Sequence, residues 1–467
     1  MAENVAISST QKRWIVAVLL IGAFIAILNQ TLLATALPPI MADLGIGPSQ
    51  GQWLTTVFML MNGIMIPITA FLIEKFTTRR LFLTAMTLFA IGSLIAAVSH
   101  TFGLLMVGRI VQATAAGIMM PLMQTTMFLI FPPERRGTAM GMVGLVISFA
   151  PAIGPSLSGW IVDSHSWRLL FYVVIPIALI DIVLAARYMS NVTKLSNPKV
   201  DVPSILLSSL GFGGLLYGFS SAGHLSWTHV EVWGSLAVGA VTLVLFIRRQ
   251  LRMSHPMLEF RVFKNPTFRL TTGIGMIVFT SMIGAQLLLP LYVQDMRGFS
   301  ALESGLLLLP GAIVMGIMSP ITGRIFDKVG GKGLAVVGLA LLSGGTFPFM
   351  MLDEHTSLTV IAALYAVRML GVSMVLMPLT TAGLNQLSRE LLPHGTAMNN
   401  TMRQVAGSIG TALLITVMSR AGSAAGAGIS GSIHGVNVAF GVAAWIAVLG
   451  FALAWFIRKP RAAAEHT

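Results

Sequence analysis

Long apolar runs, separated by short clusters of charge, glycine and proline, divide the chain from end to end. They fall near 13–37, 50–73, 80–98, 104–130, 137–161, 166–188, 203–221, 230–250, 267–294, 302–325, 333–352, 356–385, 396–418 and 434–457. A helix needs about 20 apolar residues to cross a bilayer. The runs reach that length and do not alternate apolar with polar positions, as barrel strands would. The pattern predicts an all-helical polytopic membrane protein with fourteen spans. The run beginning at Trp14 is too long for the apolar part of a signal peptide, and it ends in Leu37-Pro38-Pro39-Ile40, not in a small-residue cleavage site. It reads as a retained first span.

Composition agrees with this pattern. Of 467 residues, 55% are hydrophobic and 10% are charged, against about 25% charged in soluble proteins. The mean hydropathy is +0.84. There is no cysteine, which excludes a disulfide framework and a thiolate metal site. The nine histidines fall in predicted loops, tails or span ends, and His224 and His229 have no third ligand near them. No metal site is expected. No G-x-x-x-x-G-K-[ST] motif is present, so direct drive by ATP is not expected.

The net charge of +13 invites a nucleic-acid partner, but the positions of the basic residues argue against one. With the N-terminus inside, 23 of the 29 Lys and Arg residues fall on cytoplasmic segments. Arg168, Arg297 and Arg420 fall outside, and Arg109, Arg368 and Arg403 lie within spans. This asymmetry predicts that both termini are cytoplasmic. Asn191-Val192-Thr193 matches a glycosylation sequon, but on this topology it is cytoplasmic and reads as chance.

Two longer polar segments, 189–202 and 251–266, flank spans seven and eight. They divide the chain into a six-span bundle at 1–188, two extra spans with their linkers at 189–266, and a second six-span bundle at 267–467. The bundles repeat each other. Pro67-Ile68-Thr69-Ala70 with Glu74-Lys75 matches Pro320-Ile321-Thr322-Gly323 with Asp327-Lys328. Gly137-Thr138-Ala139-Met140 matches Gly395-Thr396-Ala397-Met398, and Arg109 with Pro121 matches Arg368 with Pro378. Parallel halves related by an axis along the membrane normal are one of the transporter architectures.

These segments resemble the major facilitator superfamily, in particular its fourteen-span drug:proton antiporter branch of the EmrB/QacA and lincomycin-resistance types. The resemblance covers nearly the whole chain. Ala150-Pro151-Ala152-Ile153-Gly154-Pro155, continuing to Gly159-Trp160, is similar to the antiporter motif of the fifth span. Gly108-Arg109 through Pro121 is similar to motif B. Gly323-Arg324 through Lys332 is similar to motif A, whose first copy is degenerate, with Ala70 for Gly and Glu74 for Asp. Asn29 stands where many members carry Asp. The resemblance implies the two-bundle fold and proton-driven export of small molecules, with the proton gradient as energy source and no cofactor.

The residues then suggest roles. Arg109 either modulates a protonation site or binds main-chain carbonyls at the cavity wall, or else extends to the outer headgroups, since a charge within a span costs about 2.5–3.5 kcal/mol. Arg368 poses the same alternative. Asp181 is the one carboxylate placed well inside a span, so it is the first candidate for proton coupling. Pairing with a cytoplasmic collar residue such as Arg187, or contact with entering water, is its ordinary alternative, and Glu74 and Glu303 come next. Asn29, Gln30, Asn62, Gln124 and Gln286, with Arg368, are expected to line a cavity between the halves. The small residues of span five, with Pro151 and Pro155, permit close and bent packing. Glu74, Arg79, Arg80, Gly323, Asp327, Lys328 and Lys332 are expected to form gating loops, with Asp327 capping the following helix or pairing with Arg324 or Lys332. The resulting expectation is a bacterial plasma-membrane exporter, not an enzyme, whose partners are a small apolar or cationic substrate and the bilayer. Export of an endogenous metabolite, signalling nucleotide or lipid is the alternative, and a non-transporting sensor or scaffold a more distant one.

Overall fold

The computed structural model describes residues 8–457, apart from 197, 224, 226 and 427. His224, Arg458, Lys459 and Arg461 therefore lie outside the described residues. Among those described, every regular element is helical. Fourteen helices are long and apolar enough to cross a membrane. They are α1 (Ser9–Leu44), α2 (Pro48–Lys75), α3 (Thr78–Ala97), α4 (Phe102–Ile130), α5 (Arg136–Ser164), α6 (Leu169–Tyr188) and α7 (Val202–Ala222). The others are α8 (Val230–Arg252), α9 (Pro266–Pro290), α10 (Ala301–Val329), α11 (Gly331–Thr346), α12 (Leu358–Leu384), α13 (Leu392–Ala425) and α14 (Ile429–Ala454). Two ends differ from the hydropathy reading. Helix α1 continues through Pro38-Pro39 and stops at Gly45, which has a left-handed φ of 62°. Helix α13 begins at Leu392 because Pro393 fits a first turn and His394 is buried there.

Helix starts follow their capping residues. Thr77, Thr101 and Asn265 accept backbone N–H bonds at the heads of α3, α4 and α9. Asn191 adds a second acceptor at the α3 head, taking the Thr78 N–H at 3.0 Å. That contact gives the Asn-x-Thr triplet a structural use.

Packing repeats between the two sets of six. α1 lies against α5 and α6, α2 against α4, and α3 against α4 and α6. In the second set α9 lies against α13 and α14, α10 against α12, and α11 against α12 and α14. The repeated Pro-Ile-Thr has one job in both. Thr69 Oγ1 donates to the Gly117 carbonyl, joining α2 to α4, and Thr322 Oγ1 donates to the Ser373 carbonyl, joining α10 to α12. The halves meet through α5 on α10 and α2 on α13, and α7 lies against both α2 and α13.

The basic loops share one end of the molecule. Lys12 of α1 sits over the Phe131 ring, 4.1 Å from its centroid, and Trp14 stacks on Tyr188 at the end of α6. Lys332 Nζ donates to the Trp455 carbonyl, so the end of α14 lies there too. Near this basic end α5 and α10 are in backbone contact. A Cβ on Gly323 would collide with the Gly137 carbonyl, and one on Gly141 would come within 2.6 Å of the Ser319 carbonyl. About five turns further along the same helix faces, Gly159 of α5 and Gly305 of α10 have nothing within 4 Å. The two helices close at the basic end and part toward the other.

Candidate functional site

The first half holds a buried polar column. Arg109 is fully buried, and its Nε donates to the Leu54 carbonyl at 3.3 Å. Its Nη1 donates to Gln112 Oε1 at 3.1 Å, and its guanidinium sits over the Phe58 ring at 4.2 Å. Gln112 in turn donates to Ser93 Oγ at 2.8 Å and faces Asn29 Oδ1 at 3.5 Å. The side chain therefore turns into the bundle and does not extend to the headgroups. Among the described residues no carboxylate pairs with it, and Arg109 Nη2 and Asn29 Nδ2 have no partner.

Asp181 lies deeper in the same bundle, on α6. It is 0% exposed, and neither carboxylate oxygen has a hydrogen-bond partner. The space in front of Gly22 on α1 leaves room for it, since a Cβ there would stand 3.0 Å from Asp181 Oδ2 and from the Phe82 ring. Arg187 instead lies near the Tyr188 ring. An unpaired charge in these surroundings costs several kcal/mol, and a neutral acid costs less.

The second half buries two arginines. Arg368 donates from Nε to Thr346 Oγ1 at 2.8 Å and from Nη2 to the Ser281 carbonyl and hydroxyl at 3.0 and 2.9 Å. Gln286 meets Tyr365 one turn away. Arg403, on α13, donates to the Leu376 carbonyl at 3.0 Å and to Thr380 Oγ1.

Polar pairs tie the halves together at the basic end. Asp327 Oδ1 accepts the Gly137 N–H at 2.7 Å, and its Oδ2 accepts the Thr138 N–H and Oγ1–H at 2.8 and 2.6 Å. This carboxylate therefore caps α5 across the junction, not the helix that follows it. Its repeat partner, Glu74, meets His394 Nε2 at 2.8 Å at the head of α13. Arg136 Nη1 donates to Asn385 Oδ1 at 2.8 Å, Thr125 pairs with Thr396 at 2.6 Å, and Asn400 donates to Gln124 Oε1 at 2.8 Å.

The remaining expected residues separate into several environments. Gln30, Asn62 and Gln286 are half-buried, while Gln124 is wholly buried in the junction. The antiporter-motif segment packs on α1: Ser158 Oγ donates to the Leu32 carbonyl at 2.6 Å, and a Cβ on Gly154 would collide with Thr31. Ala150 is buried, and Pro151, Pro155 and Gly159 are half-buried. Arg79 donates to the Ala186 carbonyl, whereas Arg80 and Lys328 are exposed. Glu303 is exposed and completes a capping box with Ser300 at the head of α10. His394 and Asn400 were not singled out from the sequence, and Arg403 was noted only as lying within a span, although the Glu74/Asp327 repeat points to the α13 head where His394 lies.

This geometry can be set beside known proteins. The family model described as Major Facilitator Superfamily matches residues 19–411. The Bacillus subtilis (strain 168) MFS-type transporter YcnB is 58% identical over 456 residues, covering 97% of this chain and 96% of its own. The lincomycin resistance protein LmrB of Listeria monocytogenes is 42% identical over 456 residues, covering 96% and 97%. The crystal structure of the human organic anion transporter MFSD10 superposes with a TM-score of 0.69 at 14% identity, over 95% of this chain and 99% of that one. With two repeated six-helix sets and these matches along nearly its full length, the chain belongs to the major facilitator superfamily as a multi-pass membrane protein.

Proposed function

We propose that the protein exports small apolar or cationic molecules across a bacterial plasma membrane in exchange for protons. Its basic end faces the cytoplasm. The observation that carries this reading is the combination of an α5–α10 junction closed at the basic end and parted further along with a buried, unpartnered carboxylate, Asp181, in the first bundle. In the state closed at the basic end, substrate leaves toward the outside and Asp181 takes up a proton. Parting α5 from α10 removes the Asp327 cap, opens the basic end, and lets the proton leave while a new substrate enters. Arg109, Gln112 and Asn29 form the polar column above Asp181 and tune its access to protons. Arg368 and Gln286 supply the polar groups of the second half. The relative named for lincomycin resistance supports lincosamide-like drugs as substrates.

The test is counterflow in liposomes carrying the purified protein. Preloaded lincomycin or an apolar cationic dye is expected to drive uptake of labelled substrate. Absence of exchange with both would refute drug export. Reporter fusions after Lys199 and Arg461 are expected to score cytoplasmic, and an outside score at either would reverse the orientation.

A further inference from the structure

The two seams between the halves use equivalent helices but are not equally covered. The inserted α7 lies along the α2–α13 seam. A Cβ on Gly63 of α2 would collide with Leu216 of α7, one on Gly213 would stand 3.1 Å from Ile64, and one on Gly223 would stand 3.2 Å from Ile415 of α13. Just past α7, Trp227 Nε1 donates to Thr416 Oγ1 of α13 at 2.7 Å. Both linkers of the inserted pair fasten to the same seam. Ser196 donates from its N–H to the Glu74 carbonyl at 3.1 Å and from its hydroxyl to Glu74 Oε2 at 3.3 Å. Glu259 donates its N–H to His394 Nδ1 at 3.3 Å, the residue whose Nε2 meets Glu74.

No inserted helix packs along the α5–α10 seam among the described residues. Its joint at the basic end is the Asp327 cap with the glycine contacts around it. Leu145 of α5, about two turns along the helix from Thr138, is 37% exposed. Ile317 of α10, 55% exposed, follows Gly316, whose Cβ position meets the Phe149 ring of α5.

We propose that apolar substrates dissolved in the inner leaflet enter the cleft through the α5–α10 seam alone, and that α7 with its two linkers closes the α2–α13 route. The inference rests on the export reading above. A molecule passing between α2 and α13 would have to displace a whole membrane helix and two tethered linkers. Between α5 and α10, loss of the Asp327 hydrogen bonds and of backbone packing is enough.

The cysteine-free sequence makes the test direct. Single cysteines are placed at Leu145→Cys and Ile317→Cys beside the uncovered seam, and at Leu206→Cys on the exposed face of α7 (58% exposed). Each is reacted with a bulky maleimide in inside-out vesicles, and transport of a membrane-partitioning dye and of a water-soluble substrate is measured. Labelling at either seam position is expected to lower dye transport about fivefold or more while water-soluble transport stays within about twofold, and labelling at Leu206→Cys to change neither. Undiminished dye transport after labelling at both seam positions overturns the route. So does an equal loss from Leu206→Cys, or an equal loss of both substrates at the seam. If the unlabelled variants export neither substrate while the cysteine-free parent exports both, a parallel set at neighbouring exposed positions carries the same test. If the parent exports neither, the export reading itself fails.

Discussion

Asp327 holds Thr138 from the opposite half of the molecule: one carboxylate oxygen takes both the backbone N–H and the hydroxyl of Thr138, at 2.8 and 2.6 Å. Helix α5 has no side-chain cap of its own, because Arg135 stands at its N-cap position. Its free N–H groups and positive dipole end are satisfied by a carboxylate on α10. The closed basic end and the capping of α5 are therefore one interaction, and opening that end leaves the α5 head bare.

Replacing this carboxylate weakens the closed state. Asp327→Asn removes the charge and turns an amide toward backbone donors, at a cost of about 2 kcal/mol, or about 30-fold in the closed-to-open ratio. In a Gly159→Cys background, thiol labelling from the outer side is expected to slow as the outer cleft closes. An unchanged labelling rate would mean that Asp327 does not set the balance.

Two glycines of α5 separate packing from exposure. Gly154→Leu drives a side chain into Thr31, whose Cβ is 2.8 Å from the new Cβ, so α1 and α5 must part. Export is expected to fall about tenfold or more while membrane expression changes less. Gly159→Leu enters open space and is expected to leave expression normal. Equal export from both variants would remove the close α1–α5 approach from the account.

Asp43 sits past the first apolar span, at the end opposite the basic loops. Hydrogen bonds from Trp167 and Arg168 hold its carboxyl below the usual carboxylate range. Arg168 Nη1 lies 2.8 Å from Asp43 Oδ2. A lowered folded value means that this stabilisation is present above the unfolded carboxylate value, near pH 4, and is lost as pH falls through the folded value. Being solvated, the pair contributes about 0.2–1 kcal/mol. Asp43→Asn is expected to melt slightly below wild type near pH 7, with the gap narrowing as the pH falls below about 4. A gap that stays constant would show that ionisation of Asp43 is not its cause.

Much of the architecture was legible because the relevant signals are local. Span lengths, the positive-inside bias and the Pro-Ile-Thr repeat are read from consecutive residues, and the repeat is matched by Thr69 and Thr322 in equivalent bridges. The Ser300–Glu303 capping box has a local S-x-x-E signal, but from the sequence Glu303 was read only as a proton-coupling candidate. Non-local partners were not legible. The Asp327 partner lies 189 residues away, and no spacing rule reaches it. Arg109 left headgroup contact open, because sequence gives its depth but not its direction, which the Leu54 carbonyl and Gln112 decide. His394 was hidden by its place at a span end, where only the Glu74 contact gives it meaning.

Proton-driven export with Asp181 as the proton carrier is tested by following substrate-driven proton movement in liposomes with a pH-sensitive dye inside. Wild-type protein is expected to move protons against the substrate. In Asp181→Asn, substrate counterflow is expected to continue while substrate-driven proton movement falls to the level of protein-free liposomes. Full proton movement in Asp181→Asn would contradict the account.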